Sequence, residues 1–288
     1  MPLAYDHLMS ITLRDRPFSY CERDTMLYGL SIGMGRDPLD KAELPFVYEG
    51  ASLRAVPTMA VVLASTGIIR QTGVDFSRVL HGEQRLTLHR PLPASGAILA
   101  DSRVVEAYDK GPERGAVLLL ETRARDAGDG ADLFTFVMTI MARGDGGFGG
   151  ASGAGPDPHP VPDRAPDHAV ALATRPDAAL LYRLNGDRNP LHADPDIARR
   201  AGFDRPVLHG LCTYGIACRA VLKAVAGHDP AAIRAFDARF SSPVFPGDEI
   251  VTDIWRDGPV VSFRCRVPER GAVVLNNGRC LLAEEAFA

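Results

Sequence analysis

PVLHGLCTYGIACRAVLKAVAG, residues 206–227, opens on a proline and then runs apolar on nearly every face of a helical wheel. Proline suits a first helical turn, where its missing N–H would have no partner anyway. A helix that is apolar all round is surrounded by protein rather than laid on a surface. A second run of this kind, PTMAVVLASTGIIRQT, occupies residues 57–72. Two such runs predict two buried helices, each of about 15 residues, and so two cores of one design.

Other landmarks recur in the same order. LYGL (27–30) answers LYRL (181–184), and HRPLPASG (89–96) answers SSPVFPGD (241–248). The offsets, taken at Tyr28/Tyr182, Pro57/Pro206 and Pro91/Pro243, are 154, 149 and 152 residues. Three matches at nearly one offset predict an internal repeat whose halves pack as an intrachain pseudo-dimer. After each helix come alternating runs rich in Val, Leu, Phe and Thr, such as RLTLHRPL, ADSRVVEAY, AVLLLETRAR and LFTFVMTIM, then EIVTDIW, VVSFRCRV and GAVVLNNGRCLL. Alternation of this sort is the signal of antiparallel strands with one buried face. The fold class is therefore α+β, each repeat having a central helix wrapped by an antiparallel sheet. Residues 144–167, GDGGFGGASGAGPDPHPVPDRAPD, are too rich in Gly, Pro and Asp for helix or strand. The division expected is a first repeat over 1–147, a linker over 148–170 and a second repeat over 171–288.

Bulk composition narrows the function. The chain has 288 residues, 46% of them hydrophobic, enough for a sizeable core. A net charge of -4 provides no basic field for nucleic acid. No apolar run nears the roughly 20 residues that span a bilayer, so no membrane partner is expected. Lys41, Lys110 and Lys223 are the sole lysines among 32 basic residues, a bias that fits base composition. Cys21, Cys212, Cys218, Cys265 and Cys280 are odd in number and contain no C-x-x-C pair. With no leader pattern at MPLAYDHLMS, they predict reduced thiols and a cytoplasmic setting.

The chemistry concentrates in NGDRNPLHADP, residues 185–195. Gly, Asn, Asp and Pro are ordinary turn formers, and Pro190 bars a regular helix between Asp187 and His192. A turn can place both side chains on one small site. Asp194-Pro195-Asp196 reads as an N-cap, a first-turn proline and a first-turn acid, predicting a short helix from Pro195 to about Ala201. The acids and amides raise a metal reading, but Leu191 and His192 break an EF-hand loop and no other cluster has zinc spacing. No metal and no cofactor is expected. Further along, His209-Gly210 stands at the start of the second buried helix, where free N–H groups can stabilise an oxyanion. The first repeat has Ala60-Val61 there and LSIGMGRDP in place of LNGDRNP, so a single site is predicted, in the second repeat.

The stretch YRLNGDRNPLHADPDIARRAGFDRPVLHGLCTYG, residues 182–215, resembles the hydratase 2 motif of the MaoC-like, hotdog-fold (R)-specific enoyl-CoA hydratases. LPFVYEG (44–50), LHGEQRLTLHRPLPASG (80–96) and GDGGFGG (144–150) resemble the hydratase 2 unit of peroxisomal multifunctional enzyme type 2. The resemblance implies a double hotdog whose second repeat is catalytic, while a degenerate first repeat makes room for the acyl chain. It implies Asp187 and His192 as the catalytic pair, Asn189 helping to hold the water, and the Gly210 N–H polarising the thioester carbonyl. Glu49, His209 and Arg183 complete the expected set as substrate-binding residues. Asn185 and Arg188 depart from the family pattern, which bears on chain length rather than on the reaction.

The expected reaction is reversible hydration of a trans-2-enoyl-CoA to a (3R)-3-hydroxyacyl-CoA in fatty-acid metabolism, with an acyl-CoA thioester as the partner. Which of Asp187 and His192 is the formal base stays open at this level, as does a homodimer beyond the pseudo-dimer. An acyl-carrier-protein dehydratase, a hotdog thioesterase and a non-catalytic acyl-CoA-binding module are the rival readings.

Overall fold

The computed structural model describes residues 3–50, 52–153 and 155–283. The first repeat contributes helices α1 (Tyr5–Ser10), α2 (Glu22–Ser31) and α3 (Ala60–Leu63), with strands β1 (Thr12–Tyr20), β2 (Val79–Leu88), β3 (Gly96–Asp109), β4 (Ala116–Asp126) and β5 (Asp132–Ala142). The second contributes β6 (His168–Ala173), α4 (Ala178–Tyr182), α5 (Pro195–Arg200), α6 (Gly210–Val225), β7 (Ile233–Phe240), β8 (Glu249–Asp257), β9 (Val260–Val267) and β10 (Ala272–Leu282).

Among the described residues the strands form a single ten-stranded sheet, in the order β1-β3-β4-β5-β2-β7-β10-β9-β8-β6. Read inward from either edge, each half gives one order: first strand, third, fourth, fifth, second. The repeat seen in the sequence is thus a repeat of topology, and the halves meet where β2 pairs antiparallel with β7, Glu83 opposite Arg239 and Thr87 opposite Ala235. An ion pair between Arg239 and Glu83, 3.3 Å, spans that seam.

Side-chain alternation fixes the inner face. Along β3, Ile98, Ala100, Ser102 and Val104 are buried while Ala97 and Arg103 are exposed. The main core runs through both halves, taking in Tyr28 and Phe134 from the first and Tyr214, Phe236 and Phe263 from the second.

α6 is the buried helix expected, with every residue from Cys212 to Leu222 buried. It begins at Gly210, four residues past Pro206, with His209 as its N-cap. The first repeat departs from expectation. Its run breaks into a 3-10 turn at Pro57–Met59, the four-residue α3 and a second 3-10 turn at Ile68–Gln71. Gly67 takes a left-handed φ of 72°, and the Thr66 hydroxyl bonds Ser102 at 2.8 Å. The helix has already stopped at Leu63, with Ala64 out of helical geometry, and Gly67 opens the second 3-10 turn, so apolar patterning alone overstated the length. Among the described residues α5 has no counterpart in the first repeat, and Asp194 caps it by accepting from the N–H groups of Asp196 and Ile197.

The Gly/Pro-rich segment is tied down across the molecule. His159 bonds Ser262 at 2.7 Å, Asn277 donates to the His159 carbonyl at 2.8 Å, and the Trp255 indole donates to the Arg164 carbonyl at 2.7 Å. All five cysteines are free thiols, four of them buried.

Candidate active site

α4 leads through a 3-10 turn, Arg183–Asn185, into Gly186 and Asp187. Asn185 anchors this corner to the first repeat by donating from Nδ2 to the Ser31 hydroxyl at 2.9 Å. Asp187 Oδ1 accepts the Asn189 N–H at 3.1 Å, and Asn189 Oδ1 accepts the Leu191 N–H at 3.1 Å. Two successive Asx turns, followed by the 3-10 turn Pro190–His192, carry the chain from the acid to the histidine. Asn189 therefore uses its side-chain oxygen to cap that turn.

His192 Nδ1 lies 2.8 Å from the Val207 carbonyl. A carbonyl only accepts, so Nδ1 carries the proton and Nε2 is left with its lone pair in the neutral ring. Burial holds His192 below the ordinary histidine pKa, while the Val207 carbonyl and the charge of Asp187 act in the opposite direction. At neutral pH Nε2 is a free proton acceptor.

Directly beneath lies His209, 1% exposed, its ring stacked on that of His192 with centroids 3.7 Å apart and planes at 26°. His209 Nε2 meets the Asp187 backbone carbonyl at 3.1 Å. Burial first, and then the neighbouring His192, push its pKa down to about 4. Ligating atoms of Asp187, His192 and His209 all fall within 4.8 Å of one another. The near-parallel stack argues against metal chelation, because in-plane lone pairs of stacked rings do not converge as a tetrahedral site requires. In a second cluster, Asp40, Glu43 and His228, the carboxyls already face Lys223 and Arg219.

Gly210, exposed, follows His209 as the first residue of α6. Among the described residues no protein acceptor takes its N–H or that of Leu211. A 16-residue helix thus presents free donors and the positive end of its dipole beside the Asp/His cluster. A Cβ here would lie 3.0 Å from the Phe240 ring, which would have to give way to admit it.

Phe240 brings in a residue that the sequence did not mark. Its ring packs on His81 of β2 with centroids 4.7 Å apart, and the Asp187 charge acts on His81. Burial lowers the His81 pKa to about 4. The first repeat therefore supplies a wall of the site in the second. A signal existed, since His81-Gly82 repeats the dipeptide of His209-Gly210.

The remaining expected residues are spread out. Arg183 is half-buried, its Nε has no partner, and its charge acts on His209. Glu49 is exposed in the segment after the 3-10 turn Leu44–Phe46, with no hydrogen bond or ion pair among the described residues. The buried acid of that segment is Glu43, which receives Arg219 of α6 at 2.6 and 2.9 Å and the Gly35 N–H at 3.0 Å.

Residues 18–144 match the MFE-2 hydratase 2 N-terminal domain and residues 158–277 the MaoC like domain. An enoyl-CoA hydratase ChsH3 of Mycobacterium tuberculosis is 39% identical over 286 residues, covering 96% of this chain and 98% of its own. A peroxisomal enoyl-CoA hydratase 2 of Arabidopsis thaliana is 38% identical, covering 94% and 93% respectively. The crystal structure of a MaoC-like dehydratase from Phytophthora capsici superposes with a TM-score of 0.88 at 31% identity, covering 99% of this chain and 100% of that one.

The shared fold is the double hotdog, α+β. The chain belongs to the MaoC-like hydratase 2 family. It is accordingly an enzyme of the hydro-lyase class.

Proposed function

We propose that Asp187, His192 and Gly210 carry out the family reaction, the reversible hydration of a trans-2-enoyl-CoA to a (3R)-3-hydroxyacyl-CoA in fatty-acid metabolism. The observation that carries this reading is the convergence, within 4.8 Å, of an Asp187 carboxyl oxygen with ring nitrogens of His192 and His209, beside unpaired N–H groups at the start of α6.

Asp187 and His192 hold one water between them. Its oxygen forms a bond to C3 as His192 Nε2 takes one of its protons, and the pair returns a proton to C2 on the same face. One H and one OH are added, and the histidine ends as it began. Negative charge that builds on the thioester oxygen meets the Gly210 N–H and the α6 terminus. Asn189 serves by shaping the turn between the pair. Arg183 and Glu49 are contacts for the substrate beyond the reacting carbons. The shortened α3 leaves Val62 and Leu63 only half-buried, which supports the first repeat as the seat of the acyl chain.

Asp187→Asn and His192→Ala are each expected to lower kcat roughly 10²- to 10⁴-fold in an enoyl-CoA hydration assay, with the far-UV spectrum unchanged. Near-wild-type turnover of either variant would sink the assignment. Coupling the product to dehydrogenases selective for each enantiomer tests the stereochemistry independently, and a (3S) product would be incompatible with this site. Release of free CoA from a saturated acyl-CoA would instead indicate a thioesterase.

A further inference from the structure

Four rings stand in contact from the join between the repeats to the catalytic histidine. Tyr28 of α2 lies 6.1 Å from Tyr182, centroid to centroid, Tyr182 lies 5.0 Å from His209, and His209 stacks on His192 at 3.7 Å. The first three rings are fully buried. Aromatic neighbours at such separations keep preferred tilts, and a close-packed interior transmits a displacement instead of absorbing it.

Hydrogen bonds fix the far end of this column. The Tyr182 side chain bonds that of Tyr28 across the repeats. Tyr28 donates in turn to the Thr58 hydroxyl at 3.0 Å, so its oxygen is the acceptor for Tyr182. Burial raises the pKa of both phenols, and both keep their protons. α6 is notched to admit the pair. A Cβ on Gly215 would lie 2.8 Å from the Tyr28 hydroxyl and 2.6 Å from Ile32 Cγ2. Glycine inside a helix weakens it relative to alanine, and here its bare backbone lets the end of α2 close on α6. Tyr28 and Tyr182 are counterparts in the two repeats, yet their surroundings differ. From Tyr182 the rings continue into His209 and His192, whereas Ala60 stands at the counterpart of His209 in the first repeat.

We propose that Tyr28 is a positioning residue supplied by the first repeat: through the Tyr182 hydroxyl and the ring column it holds His209, and so His192, at the place where the water is activated. The proposal rests on His192 being the proton acceptor of the hydration. Tyr28 itself touches no substrate and acts through the rings above it.

The test uses the full-length protein. Tyr28→Leu removes ring and hydroxyl, Tyr28→Phe and Tyr182→Phe each remove one hydroxyl, and His192→Ala is the reference for the catalytic pair. Tyr28→Leu is expected to lose roughly 10- to 100-fold in kcat with KM changed less than about threefold, since misplacement of reacting groups acts on the rate step. Its acid limb of kcat/KM also moves up toward about pH 6.5, because a His192 ring no longer held against His209 regains water. A merely structural loss lowers the amplitude and leaves the limb in place. The groups that act on His192 and its stack, Asp187, His209, Arg183 and Tyr182, with His81 beyond Asp187, are all retained in that variant. The two Phe variants are each expected to lose about two- to fivefold in kcat, and the double variant no more than either alone, because the two hydroxyls share one bond. Should Tyr28→Leu fail to fold, that cycle decides the matter. A folded Tyr28→Leu whose limb stays in place, or Phe variants with wild-type kcat or additive losses, overturns the proposal while leaving the catalytic pair intact. Full activity of His192→Ala overturns both.

Discussion

At the scale of single residues, His192 works only while Nε2 is unprotonated. Burial holds its pKa below the ordinary histidine value, so protonation removes the acceptor only in mildly acidic solution. The acid limb of kcat/KM for hydration should fall below about pH 6.5, with rate lost as pH decreases. A limb clearly above that value would exclude His192 as the acceptor. His81 acts instead on stability. Its folded pKa of about 4 lies beneath that of the unfolded chain, so between about pH 6.5 and 4 the unfolded state binds more protons and stability falls with pH. The loss from this one ring is on the order of 3 kcal/mol. Urea midpoints at pH 7 and pH 5 should differ more for the wild type than for His81→Phe, and equal differences would rule His81 out as the source. Asp187, His192 and Gly210 were legible because proline, Asx and His-Gly chemistry is local. His81 was not, because only strand pairing across the seam brings its side chain to Phe240 and within reach of the Asp187 charge.

Among elements, α6 decides most. Its apolar circumference was readable because each residue from Cys212 to Leu222 has a buried neighbour to satisfy. The α3 run carried a similar signal and formed a single turn. Gly67 adopts a left-handed conformation and Thr66 bonds a strand hydroxyl, tertiary choices that hydropathy does not encode. Two ion pairs link α6 to the first repeat, Lys223 with Asp40 near the surface and Arg219 with Glu43 in the interior, and the buried one matters more. Glu43 is fully buried and Arg219 is 7% exposed at the side chain, and neither charge has water to fall back on. Removing one partner of such a pair commonly costs about 3–5 kcal/mol, because the other stays buried and uncompensated. Glu43→Gln should therefore lower the urea midpoint sharply at an unchanged m-value. Glu43→Gln with Arg219→Met should recover much of the loss. A single variant as stable as wild type would show that the pair is not what clamps α6 to the 33–47 segment.

For the molecule as a whole, the site is divided between halves that the sequence presents as separate repeats. Asp187, His192, His209 and Gly210 come from the second repeat, yet Asn185 is anchored on Ser31 and Phe240 packs on His81. The main core mixes side chains from both, and β7 has β2 as its only neighbour on one side. A second repeat alone would expose the apolar surface that Tyr28, Met59 and Phe134 now cover, and would leave β7 as an open edge, a known route to aggregation. Expressed separately, residues 158–288 are expected to be aggregated or to bind a hydrophobic dye such as ANS, and to lack hydratase activity. Supplying residues 1–157 as a second chain during refolding should restore activity, since β2 and β7 need no covalent connection to pair. A monomeric, folded and active 158–288 fragment would show that the first repeat is dispensable, and with it the contributions of His81 and Ser31 to the site.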